Sequence, residues 1–174
     1  MTTQREEGVY YRTGDCAGIL RRLFIQVVDF AVVVALILLL CWIAGFSEKL
    51  DAALVPLSFA LCHGYLAGLK ATRLGTLGYL LAGVRLVDLQ GRTASLWRST
   101  FRFGFSGSWP SQPSFDLIWV GGDPNRQSIR DKFAGTYLIR RRATPAGCGP
   151  INYTTYFLMT YSFVFPEVIR KPDQ

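Results

Sequence analysis

The chain has 174 residues, half of them apolar, and a mean hydropathy of +0.23, which suits one domain of ordinary size but is high for a soluble one. Its net charge of +7 has two explanations, a nucleic-acid-binding surface or the basic loops of a membrane protein. Four cysteines are scattered without a CxxC pair, which argues against a disulfide framework and against a zinc site.

The first predicted element is a membrane-spanning helix over residues 23–46. These 24 residues contain only Gln26 and Asp29 as strongly polar members, and a bilayer core of ~30 Å needs about 20 helical residues. A cleaved signal peptide is the alternative, because Arg21 and Arg22 precede the apolar run. The run is longer than a usual signal, it contains an aspartate and no small-residue cleavage site follows it, so we favour a span.

A second span is predicted over residues 52–69, after a charged break at 47–51 that is too short for anything except an antiparallel hairpin. Four basic residues precede the first span, only Lys49 lies between the spans, and 14 follow the second. Since basic loops stay in the cytoplasm, we expect an inner-membrane protein with both termini cytoplasmic and 47–51 outside. This distribution explains the charge without nucleic acid and predicts contact with anionic lipid headgroups.

The polar residues inside the spans are candidate functional residues. An Asp in the apolar layer is unfavourable without a partner, and His63, the only histidine, is predicted at the same depth as Asp29 on the neighbouring helix. Gln26, one turn from Asp29, would complete the set. The pair is either a structural bond between helices or a proton-responsive site. In a third arrangement, Asp29 reaches toward Arg22 at the helix entrance.

The part after the spans is predicted to mix helices and strands. Residues 84–93 have β-branched residues around a glycine and predict a small hairpin. Residues 94–105 predict a helix on the membrane surface, with aromatic side chains in the headgroups and cations toward the phosphates. Packing of its aromatic stripe on the hairpin is the alternative. The predicted membrane-surface residues are Trp97, Arg98, Phe101 and Arg102.

The remaining segments are assigned from turn residues and β-forming residues. In the helix over 125–135, Asn125 is the expected N-cap and Gly135 the expected stop. The predictions are a loop over 106–114, a strand and turn over 116–124, a short helix over 125–135, a strand over 136–142 and one or two strands over 153–165.

Three segments together resemble the RDD family of mostly bacterial membrane proteins. They are "RRLFIQVVDF", "TLGYLLAGVRLVDLQGRTASLWRSTFR" and "RQSIRDKFAGTYLIRR", which carry the family arginine and aspartates as Arg22, Asp29 and Asp131. The similarity covers about residues 18 to 142. Tyr79 stands where the family usually has lysine, and Arg130 stands where histidine is common.

The resemblance implies topology more strongly than function. Some members of the family are linked to sodium–proton exchange and others to quality-control complexes at membranes. We expect Asp131 to pair with Arg21 or Arg22 and so clamp the part outside the spans onto the helix hairpin, with a solvated aspartate in a short helix as the alternative.

The predicted fold is therefore a membrane α-helical hairpin with a small cytoplasmic α+β part. The most favoured function is a membrane scaffold or interaction subunit, as a homo-oligomer or with a membrane partner protein. An oligomeric sodium (or lithium)/proton antiporter using Asp29 and possibly His63 is the alternative. An enzyme is not expected, because no nucleophile, zinc or phosphate-binding motif is present, and neither a cofactor nor a metal is implied. The expected parts of the chain are an N-terminal cytoplasmic segment over 1–20, the helix hairpin over 21–72, the α+β part over 73–142 and a C-terminal extension over 143–174.

Overall fold

The structure is a computed structural model that describes residues 7–46, 51–107, 112–158 and 161–170. Most of the predicted outer linker at 47–51 and the centre of the predicted loop at 106–114 lie outside these residues.

Two long apolar helices form one part of the described chain. Helix α1 spans Ile19–Ala44, and α2 spans Leu54–His63 and continues through a π-helical turn, Gly64–Gly68, and a 3₁₀ turn, Leu69–Ala71. Both are long and apolar enough to cross a membrane. Of the 18-residue apolar stretch in each helix, only 11% and 6% is buried inside the chain. Because the core helix of a soluble protein buries its apolar face, this exposure favours an apolar solvent around them.

The other part combines short helices with two antiparallel sheets. One sheet has the order β1-β4-β5 and the other pairs β2 with β3. The helices are α3 (Leu77–Ala82), α4 (Leu96–Gly107), α5 (Gln112–Gly122) and α6 (Ile129–Ala134). The strands are β1 (Glu7–Tyr10), β2 (Val84–Asp88), β3 (Thr136–Arg140), β4 (Gly147–Leu158) and β5 (Tyr161–Val168).

The predicted hairpin at 84–93 is wrong in its main pairing. Strand β2 pairs with β3, with Val84 opposite Arg140 and Asp88 opposite Thr136. The local hairpin is present in short form, with a bridge between Val87 and Thr93 and backbone hydrogen bonds from Asp88 N–H to the Arg92 carbonyl and from Ala94 N–H to the Leu86 carbonyl. The β-branched residues do form a strand, but its partner lies far along the chain and provides the more extensive ladder.

Two other local predictions, for residues 116–124 and for the N-cap of α6, are corrected, and two, for Gly135 and for the C-terminal strands, are confirmed. Residues 116–124 were expected as a strand and turn but belong mostly to helix α5, since a short apolar run does not distinguish helix from strand. The N-cap of α6 is Ser128 rather than Asn125, while Gly135 ends it in the left-handed conformation as expected. The β-rich region near the C-terminus forms two strands, β4 and β5.

Residues 143–170 pack closely against the rest of the described chain. Val168 of β5 is in one buried cluster with Tyr11 and Tyr137, whose rings meet edge to face at 5.8 Å between centroids. Burying large apolar side chains contributes roughly 1.5–3 kcal/mol each. The segment expected as an extension thus shares a core with β2 and β3.

Candidate functional site

A buried carboxylate, Asp131, lies where α1, α4 and α6 meet. Its side chain is fully buried and 2.7 Å from the Arg22 guanidinium, and Arg102 forms a second ion pair with it. Asp131 also accepts a hydrogen bond from the Ser128 backbone N–H at 3.1 Å, which completes the capping box of α6. The predicted clamp between Asp131 and Arg22 is therefore confirmed, and the alternative of a solvated aspartate is wrong.

The two arginines of this clamp, Arg22 and Arg102, also donate hydrogen bonds to other acceptors. Arg22 donates through Nε to the Ala17 carbonyl at 3.0 Å and through Nη2 to the Arg126 carbonyl at 2.8 Å. Arg102 donates to Thr136 Oγ1 at 2.8 Å. Burial lowers the pKa of Arg102 to about 10, so its guanidinium is still charged at neutral pH. The clamp thus ties α1 and α4 to the chain around α6 and β3.

Asp29 forms a second polar centre, where α1 packs on α3. It accepts hydrogen bonds from Thr76 Oγ1 at 2.9 Å, from the Gly78 backbone N–H at 3.0 Å and from the Tyr65 hydroxyl at 3.2 Å. Lys70 Nζ lies 3.2 Å from Asp29 Oδ2. All four groups can donate to the carboxylate, and together they join α1 to α2 and α3.

The predicted contact between Asp29 and His63 is wrong. His63 Nε2 lies 3.0 Å from Thr100 Oγ1 of α4, and the ring contacts those of Phe59 and Phe103. The depth argument treated the two spans as an isolated pair. In the structure α3 docks against α1 and supplies two of the donors to Asp29, from Thr76 and Gly78, while α4 contacts His63.

The predicted membrane-surface residues divide into two groups. Trp97 and Phe101 are exposed as expected, at 76% and 40%. Arg102, in contrast, points inward to Asp131, and Arg98 donates to the carbonyls of Ala134 and Gly135 at the end of α6. The outward orientation predicted for these two cations is wrong, because they have buried acceptors at the end of α6 and in the Asp131 clamp.

Three further ion pairs surround α6. Arg130 lies 2.7 Å from Asp116 of α5. Lys132 lies 2.7 Å from Asp123 and 3.7 Å from Glu167 of β5. Burial lowers the pKa of Lys132, but the hydrogen bond to Asp123 and the charges of both acids outweigh it, so the net direction is upward. These pairs attach α5 and β5 to the clamp.

A cavity of about 1120 Å³ lies among α1, α2 and α4. Gln26, predicted to assist Asp29, is on its wall, as is His63. Burial alone would raise the pKa of Tyr79 in this wall, but Lys70, Arg102, Arg130 and Arg22 shift it downward overall. The charged residues of the lining are four cations and one carboxylate, namely Arg22, Lys70, Arg102, Arg130 and Asp29.

Several residues of the network were not singled out from the sequence. Lys70 closes the second span, and a cation there is a usable signal because its long side chain can reach a carboxylate inside the span. Thr76 and Gly78 had no such signal, since their role depends on how α3 docks. Within the described residues, no group of three or more His, Cys, Asp or Glu side chains is placed to hold a metal ion.

Comparison with known proteins gives one match. The family model described as RDD family matches residues 16–135, which include α1 to α6. Neither the curated proteins nor the solved structures give a match. The matched region contains both polar centres, Asp29 and Asp131, with the cations that contact them.

Proposed function

The chain belongs to the RDD family, and from this membership and its two long apolar helices we propose that it is a multi-pass inner-membrane protein with a scaffolding or interaction role. Family membership and the helices point to a membrane protein. The cytoplasmic placement of both termini is supported by the basic residues, of which 13 follow the second helix and only Lys49 lies between the helices.

The scaffold role rests on one observation: the buried carboxylates of Asp29 and Asp131 are held by contacts that join helices. Asp29 has four contacts, from Lys70, Tyr65, Thr76 and Gly78, and Asp131 holds two arginines and caps a helix. Removing a partner from a buried pair typically costs about 3–5 kcal/mol. A carboxylate held by a cation and three donors in one chain is suited to joining helices, which leaves the outer surfaces for a second copy or a membrane partner protein.

Antiport would make a different demand on Asp29. The carboxylate would have to bind a proton and a metal ion in turn, and each exchange would break its contacts with Lys70 and Thr76. Ion exchange and a structural ion pair therefore predict different behaviour for charge-removing variants.

The test compares the wild type with Asp29→Asn, Lys70→Gln and the double variant in vesicles. We expect no sodium- or lithium-driven proton movement above empty vesicles for any of them. We also expect each single variant to be less stable than the wild type and the double variant to regain part of the loss, because it leaves no unpaired charge. Exchange in the wild type that disappears in Asp29→Asn at equal insertion would refute the scaffold role.

The topology is tested separately with reporter fusions. A reporter that is active only in the cytoplasm should be active after Gln174 and inactive when inserted at Lys49. The reverse result would overturn the proposed orientation without affecting the scaffold role.

A further inference from the structure

The cavity among α1, α2 and α4 has a polar end and an apolar end. Arg22, at one end of its lining on α1, and Val33, at the other, are separated by about 16 Å of helix. Lys70 and the other cations line the polar end, whereas Val33, Phe30 and Phe59 line the rest. An occupant that matches both ends has a charged head and an apolar tail.

The side of the cavity opens onto the surface that the apolar helices expose. Phe30, Phe59 and Val27 line it and are still 70%, 66% and 60% exposed. If α1 and α2 lie in a bilayer, the cavity is therefore entered from among the lipid chains. Phosphate dissolved in water would have to reach the same place through the polar end.

The charge of the lining selects an anion. It contains four cations and only one carboxylate, while Asp131 and Asp116, which neutralise three of the cations, do not line the cavity. Lys70 is 19% exposed on its side chain even though it contacts Asp29. With Asp29 and those two acids counted, four cations face three carboxylates, so a negative group beside Lys70 would meet a net positive charge.

A buried hydroxyl in the lining supplies a second observation. Ser99 is among the lining residues, it is 2% exposed, and its buried Oγ has no hydrogen-bond partner among the described residues. A buried hydroxyl without a partner carries an uncompensated desolvation cost. A phosphate oxygen is a strong acceptor that would remove this cost.

We propose that this cavity binds one anionic phospholipid, with its phosphate among Lys70, Ser99 and the neighbouring arginines and an acyl chain along Val33, Phe30 and Phe59. The lipid fills the space between α1, α2 and α4 and so becomes part of the packing of the helices. The site depends on the membrane placement of α1 and α2 but is independent of the scaffold role.

The test uses the purified full chain in nanodiscs and in detergent. Val33→Trp fills the apolar end of the cavity, and Val34→Trp, the neighbouring residue that does not line it, is the matched control. Lys70→Gln removes a cation from the polar end, and Arg73→Gln removes an exposed cation of the same segment. The measurements are native mass spectrometry and the unfolding temperature with added phosphatidylglycerol, phosphatidylcholine or inorganic phosphate.

We expect the wild type and Val34→Trp to retain one phosphatidylglycerol and to unfold at a higher temperature in its presence. Apparent affinity should fall at least tenfold in Val33→Trp and about fivefold in Lys70→Gln, because a lysine near a phosphate contributes at that level, and should be unchanged in Arg73→Gln. Equal retention by Val33→Trp and Val34→Trp would overturn the proposal. So would equal stabilisation by inorganic phosphate, or a lipid-free dimer that Val33→Trp converts to a monomer.

Discussion

The guanidinium of Arg22 lies 2.7 Å from the carboxylate of Asp131, and this pair connects the first turns of α1 to the short helix α6. Both side chains are almost completely buried. An ion pair so buried is stable only when the remaining donors and acceptors are also satisfied. The Ala17 and Arg126 carbonyls and the Ser128 N–H meet that requirement.

Asp131→Asn should therefore release the part of the chain around α6 from α1. The variant leaves Arg22 and Arg102 buried without their shared counter-charge, and we expect a loss of about 3–5 kcal/mol. Limited proteolysis should cleave the region after α2 faster than in the wild type. Asp51→Asn, at an exposed site, is the control, and equal protection of the two variants would show that the clamp does not hold this region.

Gly78→Ala should disrupt the contact between α1 and α3. A Cβ at this position would lie 2.6 Å from Asp29 Oδ1 and 2.8 Å from the Ile25 carbonyl oxygen, and backbone atoms cannot move away easily. Overpacking of this kind costs typically about 1–3 kcal/mol. Thermal unfolding followed by tryptophan fluorescence should show the loss.

The control for that variant is Gly64→Ala in the second helix, where a Cβ meets nothing within 4 Å. Replacing an unconstrained helical glycine by alanine usually stabilises. If Gly64→Ala and Gly78→Ala unfold at the same temperature, the close approach of α3 to Asp29 is not what sets the requirement for glycine.

The sequence predicted those features that depend on local pattern. The two long helices follow from continuous apolar runs, and the strands β4 and β5 follow from β-forming residues. The pairing of Arg22 with Asp131 was also predicted, because the family resemblance marked both residues. The partners of Asp29 were not, since Thr76 and Gly78 reach it only after α3 has docked.

Longer-range pairing explains the other differences. Strand β2 makes a short contact with the nearby residues 92–94, but β3 provides the longer ladder of five residue pairs. Sequence alone does not rank the two partners, because the energy of a strand pair depends on the side chains that face it. The inward turn of Arg98 and Arg102 has the same origin, since their acceptors belong to α6 and β3.

Cys16 should react slowly with thiol reagents although no disulfide protects it. It is buried, and burial raises the pKa of its thiol to about 11, so little thiolate is present at pH 8. Cys148 is exposed. In a Cys41→Ser, Cys62→Ser background, we expect Cys148 to be labelled at least tenfold faster by a maleimide, followed by mass spectrometry. Denaturant should remove the difference, and equal rates in the folded protein would contradict the buried position.

The ion pairs of Lys132 should make stability sensitive to alkaline pH. Since Asp123 and Glu167 raise the pKa of Lys132 above its ordinary 10.5 in the folded state, their stabilisation is complete below pH 10.5 and is lost as pH rises through the folded value. Lys132→Met has no amine at this position, so its stability lacks this dependence on pH. The difference in unfolding free energy between wild type and variant should be constant from pH 7 to 9 and narrow above pH 10.5.

Urea unfolding at each pH measures this difference. Burial also raises the pKa of Tyr137, so ionisation of that tyrosine in the unfolded state destabilises the protein at alkaline pH. The effect is common to both proteins and cancels when they are compared. A difference that stays constant up to pH 11.5 would mean that the charge on Lys132 does not stabilise the attachment of α6 to β5, and that its alkyl chain alone contributes there.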